Sequence, residues 1–267
     1  MRAAAVLALA CAIAPAASRA ASPPTLVVCA PGYPGSTAEA QPSLDAFARA
    51  AAAAAGWPDG GLRAVYHETE QGGLLRLAES DAALALVPAP FLQKHGAALG
   101  LSPLLEAVSS AAGAEESWSL VAKKGRLASA AQLSGWEISG LAGYAPGFVR
   151  ERALGGWGKL PADVRITASG QILSALRRAA AGDDVAVLLD GAQTASLASL
   201  PFAAELEIVA SSPKVPVAIL CAVGTRLPRP RALALAKALG RLHETPEGAA
   251  ALEGLRLTRF VRATLPR

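Results

Sequence analysis

Apolar runs of strand length alternate with stretches of helical character in the first part of the chain. The runs at 25–30, 62–67 and 82–87 are short and rich in Val, Leu and Ala, which is typical of buried strands. Helices are predicted between them, at about 42–55 and 73–79. This alternation is characteristic of a parallel α/β sheet, so the segment predicts a β-α-β-α-β lobe.

The alternation returns after a break between 101 and 114, where the apolar pattern weakens. An extended segment at 117–122 opens this second region. Further strands are predicted at 136–139, 164–167, 185–189 and 206–210, with helices at 128–133, from Pro146 onward, at 171–181 and at 193–200. A long apolar strand at 217–223 then returns to the first region, and helices at 229–243 and 246–252 follow it.

The pattern therefore predicts two α/β lobes with a central cleft. Residues 21–114 together with 216–267 form lobe one, and residues 115–215 form lobe two. Two segments that cross between the lobes, near 113–117 and 212–217, are expected to act as the hinge.

The first residues have the features of a secretory signal peptide. Arg2 provides a positive charge, an apolar run from Ala3 to Ala14 follows, and small residues precede a cleavage point near Ala20. We therefore assign residues 1–20 to a cleaved signal peptide. An alternative is a lipoprotein-type cleavage that leaves Cys11 acylated, although the apolar run before this cysteine is short.

Composition narrows the class of partner. Removal of the signal peptide leaves about 247 of the 267 residues and lowers the formal charge from +4 to +2. The remaining Lys and Arg are scattered rather than gathered in a stripe, which argues against nucleic acid as a partner. Cys29 and Cys221 lie in separate apolar runs, and two buried free thiols are favoured over a disulfide, although an oxidising compartment would allow one.

No catalytic or metal-binding motif is present. HExxH, CxxC, GxSxG, the Walker loop and GxGxxG are all absent from the sequence. His67, His95 and His243 are far apart in the chain, and none has a carboxylate or a cysteine at the spacing of metal ligands. The sequence thus predicts a protein that is not an enzyme and that carries no metal or cofactor.

A glycine-rich turn follows the predicted strand at 136–139 and leads into a helix that begins near Pro146. Ala145, at the expected N-cap, has no side-chain oxygen to accept hydrogen bonds from the first helical amides. Such amides, with the helix dipole behind them, suit an anionic or polar ligand. An ordinary solvated connection between strand and helix is the alternative.

Three runs of sequence resemble a known family. They are KKGRLASAAQLSGWEISGLAGYAPGFVRERAL, LRRAAAGDDVAVLLD and LEIVASSPKVPVAILCAV. Together they resemble the phosphate/phosphonate-type substrate-binding proteins of ABC transporters, and the similarity extends over nearly the whole mature chain. The resemblance implies the type 2 periplasmic-binding fold, a periplasmic location, a monomer, a small oxyanion-like ligand and a membrane permease as partner.

The ligand-binding motif of that family is altered in this chain. Tyr144-Ala145-Pro146 replaces the Ser-Thr-Ser cluster at the start of the ligand-binding helix, and Gln171 falls where the family has a histidine. Asp190 matches the aspartate that ends the family's strand motif. With the side-chain donors missing, an oxyanion at this helix depends on backbone amides.

Ligands of open parallel sheets bind outside the carboxyl ends of the strands, so the loops after the strands are the candidate site. The candidate ligand-binding residues are Tyr33, Ser36 and Thr37 of lobe one, and Tyr144, Gly147, Ser169, Gln171 and Asp190 of lobe two. The alternatives are helix capping for the three hydroxyl residues, half-buried packing for the two tyrosines, and a simple turn for the aspartate.

The sequence thus predicts a periplasmic solute-binding protein that closes on a small, phosphate- or phosphonate-like anion for an ABC transporter. The alternative is a related module that has lost transport and serves as a sensor or assembly partner in the envelope, which the altered binding motif favours.

Overall fold

The computed structural model describes residues 22–263. The predicted signal peptide and the alternative acylation at Cys11 lie outside these residues. The described chain forms two separate sheets, one with six strands and one with five. A third, two-stranded ladder is formed by the two segments that connect these sheets. The predicted fold class, two α/β lobes joined by two crossing segments, is confirmed.

Lobe one is the name used here for the six-stranded sheet and its helices. Its strands are β1 (Thr25–Cys29), β2 (Arg63–His67), β3 (Ala82–Pro88), β4 (Leu101–Ser109), β12 (Ala218–Val223) and β13 (Leu257–Arg262). They lie in the order β13-β4-β12-β3-β1-β2. β1 is parallel to both β2 and β3, whereas β12 is antiparallel to its two neighbours. Every residue of β3 is buried, as expected for a strand with neighbours on both sides and helices on both faces.

Helices cover both faces of this sheet. They are α1 (Thr37–Ala54), α2 (Glu70–Ala78), α3 (Ala89–His95), α7 (Arg229–Leu239) and α8 (Pro246–Glu253). One core cluster packs α1, α7 and α8 on one face around Phe47 and Leu235, and a second packs α2 and α3 on the other around Leu77 and Phe91. Neither cluster needs residues of the other lobe's sheet, so lobe one has its own core.

Lobe two is the five-stranded sheet and its helices. Its strands are β6 (Ser119–Lys123), β7 (Glu137–Gly140), β8 (Arg165–Ala168), β9 (Val185–Leu189) and β10 (Leu206–Ser211), in the order β10-β6-β9-β7-β8. The helices are α4 (Pro146–Phe148), α5 (Ile172–Ala181) and α6 (Gly191–Ser196). β7 is parallel to β8 and to β9, so the carboxyl ends of these three strands share one edge.

The two crossing segments pair with each other. β5 (Glu115–Glu116) and β11 (Val215–Pro216) form a short antiparallel ladder in which Val215 pairs with Glu116. Two further hydrogen bonds join the crossings, because Ser212 N donates to Trp118 O at 2.8 Å and Trp118 N donates to Ser212 Oγ at 2.9 Å. The crossings therefore behave as one unit rather than as two independent linkers.

Several predicted element bounds were wrong. The first helix begins at Thr37 and not near Pro42, because Ser36 and Glu39 form a capping box that starts the helix five residues earlier. The weak pattern at 101–114 contains strand β4, and the C-terminal strand β13 was not predicted at all. The helix from Pro146 is α-helical for three residues and continues as a π-helical turn over Val149–Ala153.

Both cysteines of the described chain, Cys29 and Cys221, are free and buried, as favoured from the sequence. Within residues 22–263, the length and apolar character needed to cross a bilayer are not combined in any helix.

Candidate functional site

The carboxyl ends of the parallel strands of both lobes converge on the same region. In lobe one the loop after β1 carries Tyr33, and β3 leads into α3. In lobe two the loop after β7 carries Tyr144, and β9 ends at Asp190. Tyr33 packs against the core cluster of lobe two, and Tyr144 packs against clusters of both lobes. The structure thus brings Tyr33, Tyr144 and Asp190 to the junction of the lobes.

A hydrogen bond joins the two lobes directly at this junction. The Tyr33 hydroxyl donates to Asp190 Oδ2 at 3.1 Å. Burial raises the pKa of Tyr33 well above its usual value, and the negative charge of Asp190 adds to this effect. The hydroxyl therefore stays protonated and remains a donor to the carboxylate at any physiological pH.

Asp190 is held rigidly from its own lobe. It is 3% exposed and is the N-cap of α6, where its Oδ1 accepts from Gln193 N at 2.8 Å and its own N donates to Gln193 Oε1 at 3.1 Å. This reciprocal capping box fixes the carboxylate so that its second oxygen faces lobe one. The sequence alternative of a simple turn does not describe this residue, which both caps a helix and contacts Tyr33.

A second buried carboxyl lies behind Asp190. Glu116, on crossing strand β5, is 5% exposed, and its Oε2 accepts from Gly191 N at 2.9 Å. Burial raises the pKa of Glu116 to about 7; the Gly191 hydrogen bond opposes this rise, and the negative charge of Asp190 adds to it. Glu116 carries no signal of this role in the sequence, because only the topology brings the crossing strand next to the end of β9.

Tyr144 presents a buried hydroxyl without a partner. Its Oη has no hydrogen-bond partner among the described residues, a property it shares with Trp118 Nε1. Burial raises the pKa of Tyr144, so the group is a neutral donor. Because buried polar groups are almost always paired in native proteins, this hydroxyl is an exception that leaves one donor unsatisfied at the junction of the lobes.

A lysine of lobe one lies over the same tyrosine. Lys94 Nζ donates to the Tyr144 carbonyl oxygen at 2.5 Å and lies 5.7 Å from the centre of the Tyr144 ring. The ammonium also pairs with Glu70 Oε1 at 2.5 Å, and His95 Nε2 contacts the same oxygen. Burial raises the pKa of Glu70, but the hydrogen bonds from Lys94 and His95 outweigh it, and the net shift is downward. Lys94 was not among the residues predicted from the sequence.

The remaining predicted residues have partners within their own lobe or are open to solvent. Ser36 Oγ caps α1 through Glu39 N, and Thr37 Oγ1 donates to Tyr66 O at 2.8 Å. Ser169 Oγ accepts from Gln171 N at 3.1 Å. The capping alternative therefore describes Ser36. Thr37 and Ser169 are not helix caps, because Thr37 donates to a strand carbonyl and Ser169 accepts within a local turn.

Gly147 and Gln171 make no cross-lobe hydrogen bond among those found for the described residues. Gly147 is exposed, and a Cβ added there would meet no atom within 4 Å. Gln171 is exposed at the N-cap of α5. Ala145, as the sequence indicates, gives no side-chain cap to α4.

The lobes also approach each other closely through backbone. A Cβ on Gly32 would lie 3.0 Å from Leu141 Cδ2, and one on Gly170 would lie 3.2 Å from Gly32 O. Gly32 adopts a positive φ of 82°, which favours glycine. Both glycines therefore permit the contact between the loop after β1 and the loops of lobe two.

Metal chemistry has no support in the part of the chain that the structure describes. Between residues 22 and 263, no group of three or more His, Cys, Asp and Glu side chains could hold a metal ion.

The chain matches a family model over residues 78–266, which is more than half of its length. The model is described as ABC transporter, phosphonate, periplasmic substrate-binding protein. No curated protein matches the chain.

Several solved structures share the fold at low sequence identity. XAC2383 from Xanthomonas citri, in structures bound to ATP and to chloride ion, aligns with a TM-score of 0.65 and 16% identity; for the ATP-bound structure the match covers 92% of each chain. A binding protein component of an ABC phosphonate transporter from Pseudomonas aeruginosa aligns with a TM-score of 0.60 and 12% identity, over 91% of this chain and 82% of that one. PhnD1 from Prochlorococcus marinus, in complex with methylphosphonate, aligns with a TM-score of 0.55 and 13% identity, over 90% of this chain and 92% of that one. At these identities the similarity shows the type 2 periplasmic-binding fold and nothing about the ligand.

Proposed function

Since this chain belongs to the phosphonate family of periplasmic substrate-binding proteins of ABC transporters, we propose that it captures a small phosphate- or phosphonate-like anion between its lobes. It then delivers the anion to a membrane permease. The units that move are residues 21–114 with 216–267 and residues 115–215, as the sequence predicts.

The Tyr144 hydroxyl is the observation that carries this proposal. It is a buried hydrogen-bond donor at the junction of the lobes with no partner among the described residues. Lys94 places an ammonium of the opposite lobe next to the same tyrosine, where it is paired with Glu70. An anion that accepts from the Tyr144 hydroxyl and competes with Glu70 for Lys94 would touch both lobes, and only a ligand with contacts in both lobes shifts the equilibrium between open and closed forms.

The hydrogen bond between Tyr33 and Asp190 limits where the anion can bind. An anion would be repelled by the Asp190 carboxylate, so the proposed ligand lies on the Tyr144 and Lys94 side of the junction. Tyr33, whose hydroxyl already donates to Asp190, lines this region with its ring.

A panel of phosphate, phosphite, methylphosphonate and small organic anions tests the proposal by thermal shift. At about 100 times its Kd a ligand stabilises the folded protein by about 2.7 kcal/mol. For a protein of this size each kcal/mol raises the Tm by about 2–4 °C, so we expect a rise of about 5–10 °C.

Tyr144→Ala should abolish this rise, and Tyr66→Ala is the matched control because Tyr66 packs in the lobe-one core cluster around Phe47. A panel in which no anion shifts the Tm would contradict the proposal, as would a shift that survives Tyr144→Ala.

A sensor or assembly role in the envelope is the second candidate. The replacement of the family's Ser-Thr-Ser cluster by Tyr144-Ala145-Pro146 favours it, because the short hydroxyl side chains of that cluster are absent. Adjacent genes for a permease and an ATPase would support transport, whereas an adjacent kinase or redox protein would support the module.

A further inference from the structure

Glu116 is connected to the junction of the lobes through an unbroken series of contacts. Its carboxyl accepts from Gly191 N at 2.9 Å, and Gly191 directly follows Asp190. Asp190 in turn accepts from the Tyr33 hydroxyl of lobe one at 3.1 Å. Gly191, Asp190 and Tyr33 thus connect the crossing strand β5 to lobe one.

The crossing strand gives Glu116 a place in the hinge as well. Glu116 pairs with Val215 in the ladder between β5 and β11, the two segments that connect the lobes. A rotation about these segments moves the Glu116 backbone, whereas the carboxyl is tied to the start of α6. The residue is therefore in contact with both the hinge and the capping box that holds Asp190.

The space around Glu116 is tightly filled. A Cβ added to Gly191 would lie 2.8 Å from Glu116 Cβ and 3.2 Å from its Oε2. A side chain in such a confined place transmits a change in its own position or charge to its neighbours.

We propose that Glu116 is a positioning residue of the binding site: by holding the Gly191 amide it sets the Asp190 carboxylate for Tyr33, and its protonation state alters that contact. This inference rests on the proposed function, since it takes the junction of the lobes to be the binding site.

Few titratable groups face Glu116, so a pH-dependent change at its neighbours can be assigned to Glu116 itself. Asp190 faces it from the start of α6, and Tyr33 faces it from the loop after β1. Neither β11 nor α6 carries a titratable side chain, and neither does the segment 110–113. Glu115, on the same strand, and Lys214, before β11, are exposed.

Protonation of Glu116 changes two contacts at once. Neutral Glu116 removes a negative charge next to Asp190, but it accepts a weaker hydrogen bond from Gly191 N. Ionised Glu116 holds Gly191 N more firmly and places two buried carboxylates side by side, so the position of Asp190 changes with the charge of Glu116. Since burial raises the pKa of Glu116 to about 7, the change falls near neutral pH.

The chain contains three tyrosines, which allows a direct test by NMR with ring-13C-labelled tyrosine and 15N-labelled protein. Tyr33→Phe and Tyr66→Phe assign the ring signals. In the wild type, titrated from about pH 5 to about pH 9 without added solute, the Tyr33 ring and the Gly191 amide should shift with one common midpoint near 7.

Glu116→Gln should remove the Tyr33 step, because the amide cannot ionise. Glu115→Gln, the same substitution at the exposed neighbour, should leave the step unchanged. A residue that merely fills space would not give the same pH midpoint at the Gly191 amide, which it contacts, and at the Tyr33 ring of the opposite lobe.

The proposal is overturned if the Tyr33 step persists in Glu116→Gln. It is also overturned if neither the Tyr33 ring nor the Gly191 amide titrates in the wild type, and this arm does not depend on the folding of any variant. Since no solute is added, a negative result here is distinct from a failure to find a ligand in the anion panel.

Discussion

Removing one oxygen atom from Tyr144 is expected to make the protein more stable. Tyr144→Phe deletes only the hydroxyl that is buried at the junction without a partner. The ring keeps its packing against the clusters of both lobes and its position under Lys94. The substitution therefore isolates the effect of the hydroxyl.

The magnitude follows from the cost of burying a polar group without a partner. That cost is about 1–3 kcal/mol for a neutral group. Since phenylalanine fills nearly the same volume, we expect Tyr144→Phe to raise the free energy of unfolding by about 1–2 kcal/mol. The corresponding rise in Tm is about 2–8 °C.

Urea unfolding followed by fluorescence measures this change as a higher midpoint with an unchanged m-value. Tyr66→Phe is the matched control and should give no such gain, because its hydroxyl is not among the buried atoms without a partner. The same Tyr144→Phe variant should bind an anion from the panel about tenfold or more weakly, since a hydrogen bond to a charged group is lost.

A loss of more than about 1 kcal/mol in Tyr144→Phe would refute the reasoning, because a loss of that size is expected when a made hydrogen bond is deleted. If Tyr144→Phe is more stable but binds the anion with unchanged affinity, the cost of the buried hydroxyl is upheld and its role in anion binding is contradicted.

Two further predictions concern the loop after β7 and the acid stability of lobe one. Gly143→Ala should destabilise by about 1–3 kcal/mol, because its Cβ would collide with the backbone carbonyl of Thr167; Gly147→Ala, four residues on, has open space and should be neutral in the same urea experiment. Hydrogen bonds from Arg76 hold the pKa of Asp81 at about 2, below its ordinary 3.8, so this residue contributes stability above pH 3.8 that is lost as the pH falls through about 2. Asp81→Asn should therefore flatten the fall of unfolding free energy in this range, and an unaltered acid profile would contradict the assignment.

Strands whose residues are nearly all apolar, such as β3 and β9, are predicted correctly from the sequence. β4 escapes the same reasoning because Pro103 and Glu106 interrupt its apolar pattern. In the structure β13 pairs with β4 only from Leu105 to Ser109, and Pro103 lies beside the register irregularity of β12, where the missing N–H is tolerated. Tertiary pairing, which the local pattern does not contain, makes this segment a strand.

The start of α1 was readable from the sequence but was placed wrongly. Pro42 suggests a first helical position, yet Ser36 and Glu39 have the spacing of a capping box, and the box determines where the helix begins. Pro42 then lies inside the helix, where it removes the intrahelical hydrogen bond to the Ala38 carbonyl.

Some residues of the candidate site were predictable from the sequence and others were not. Tyr144 and Asp190 follow parallel strands of the lobe-two sheet, so the rule on carboxyl ends is enough to predict that they lie at one edge, and it places Tyr33 at the corresponding edge of lobe one. Glu116 and Lys94 carry no such signal, because one lies on a crossing strand and the other on a short helix of the opposite lobe. Their proximity depends on how the two lobes face each other, which sequence periodicity does not describe.

A chemical-shift map of the 15N-labelled protein with methylphosphonate, and separately with inorganic phosphate, tests the central claim most directly. The proposal predicts that the largest amide shifts occur in the loops at 30–37, 140–147 and 168–171 and around Asp190 and Lys94. Shifts confined to the apolar groove of about 360 Å³ between α5 and α6, which includes Leu173 and Leu197, would contradict a site between the lobes. The absence of any shift with either anion would contradict the proposed ligand class.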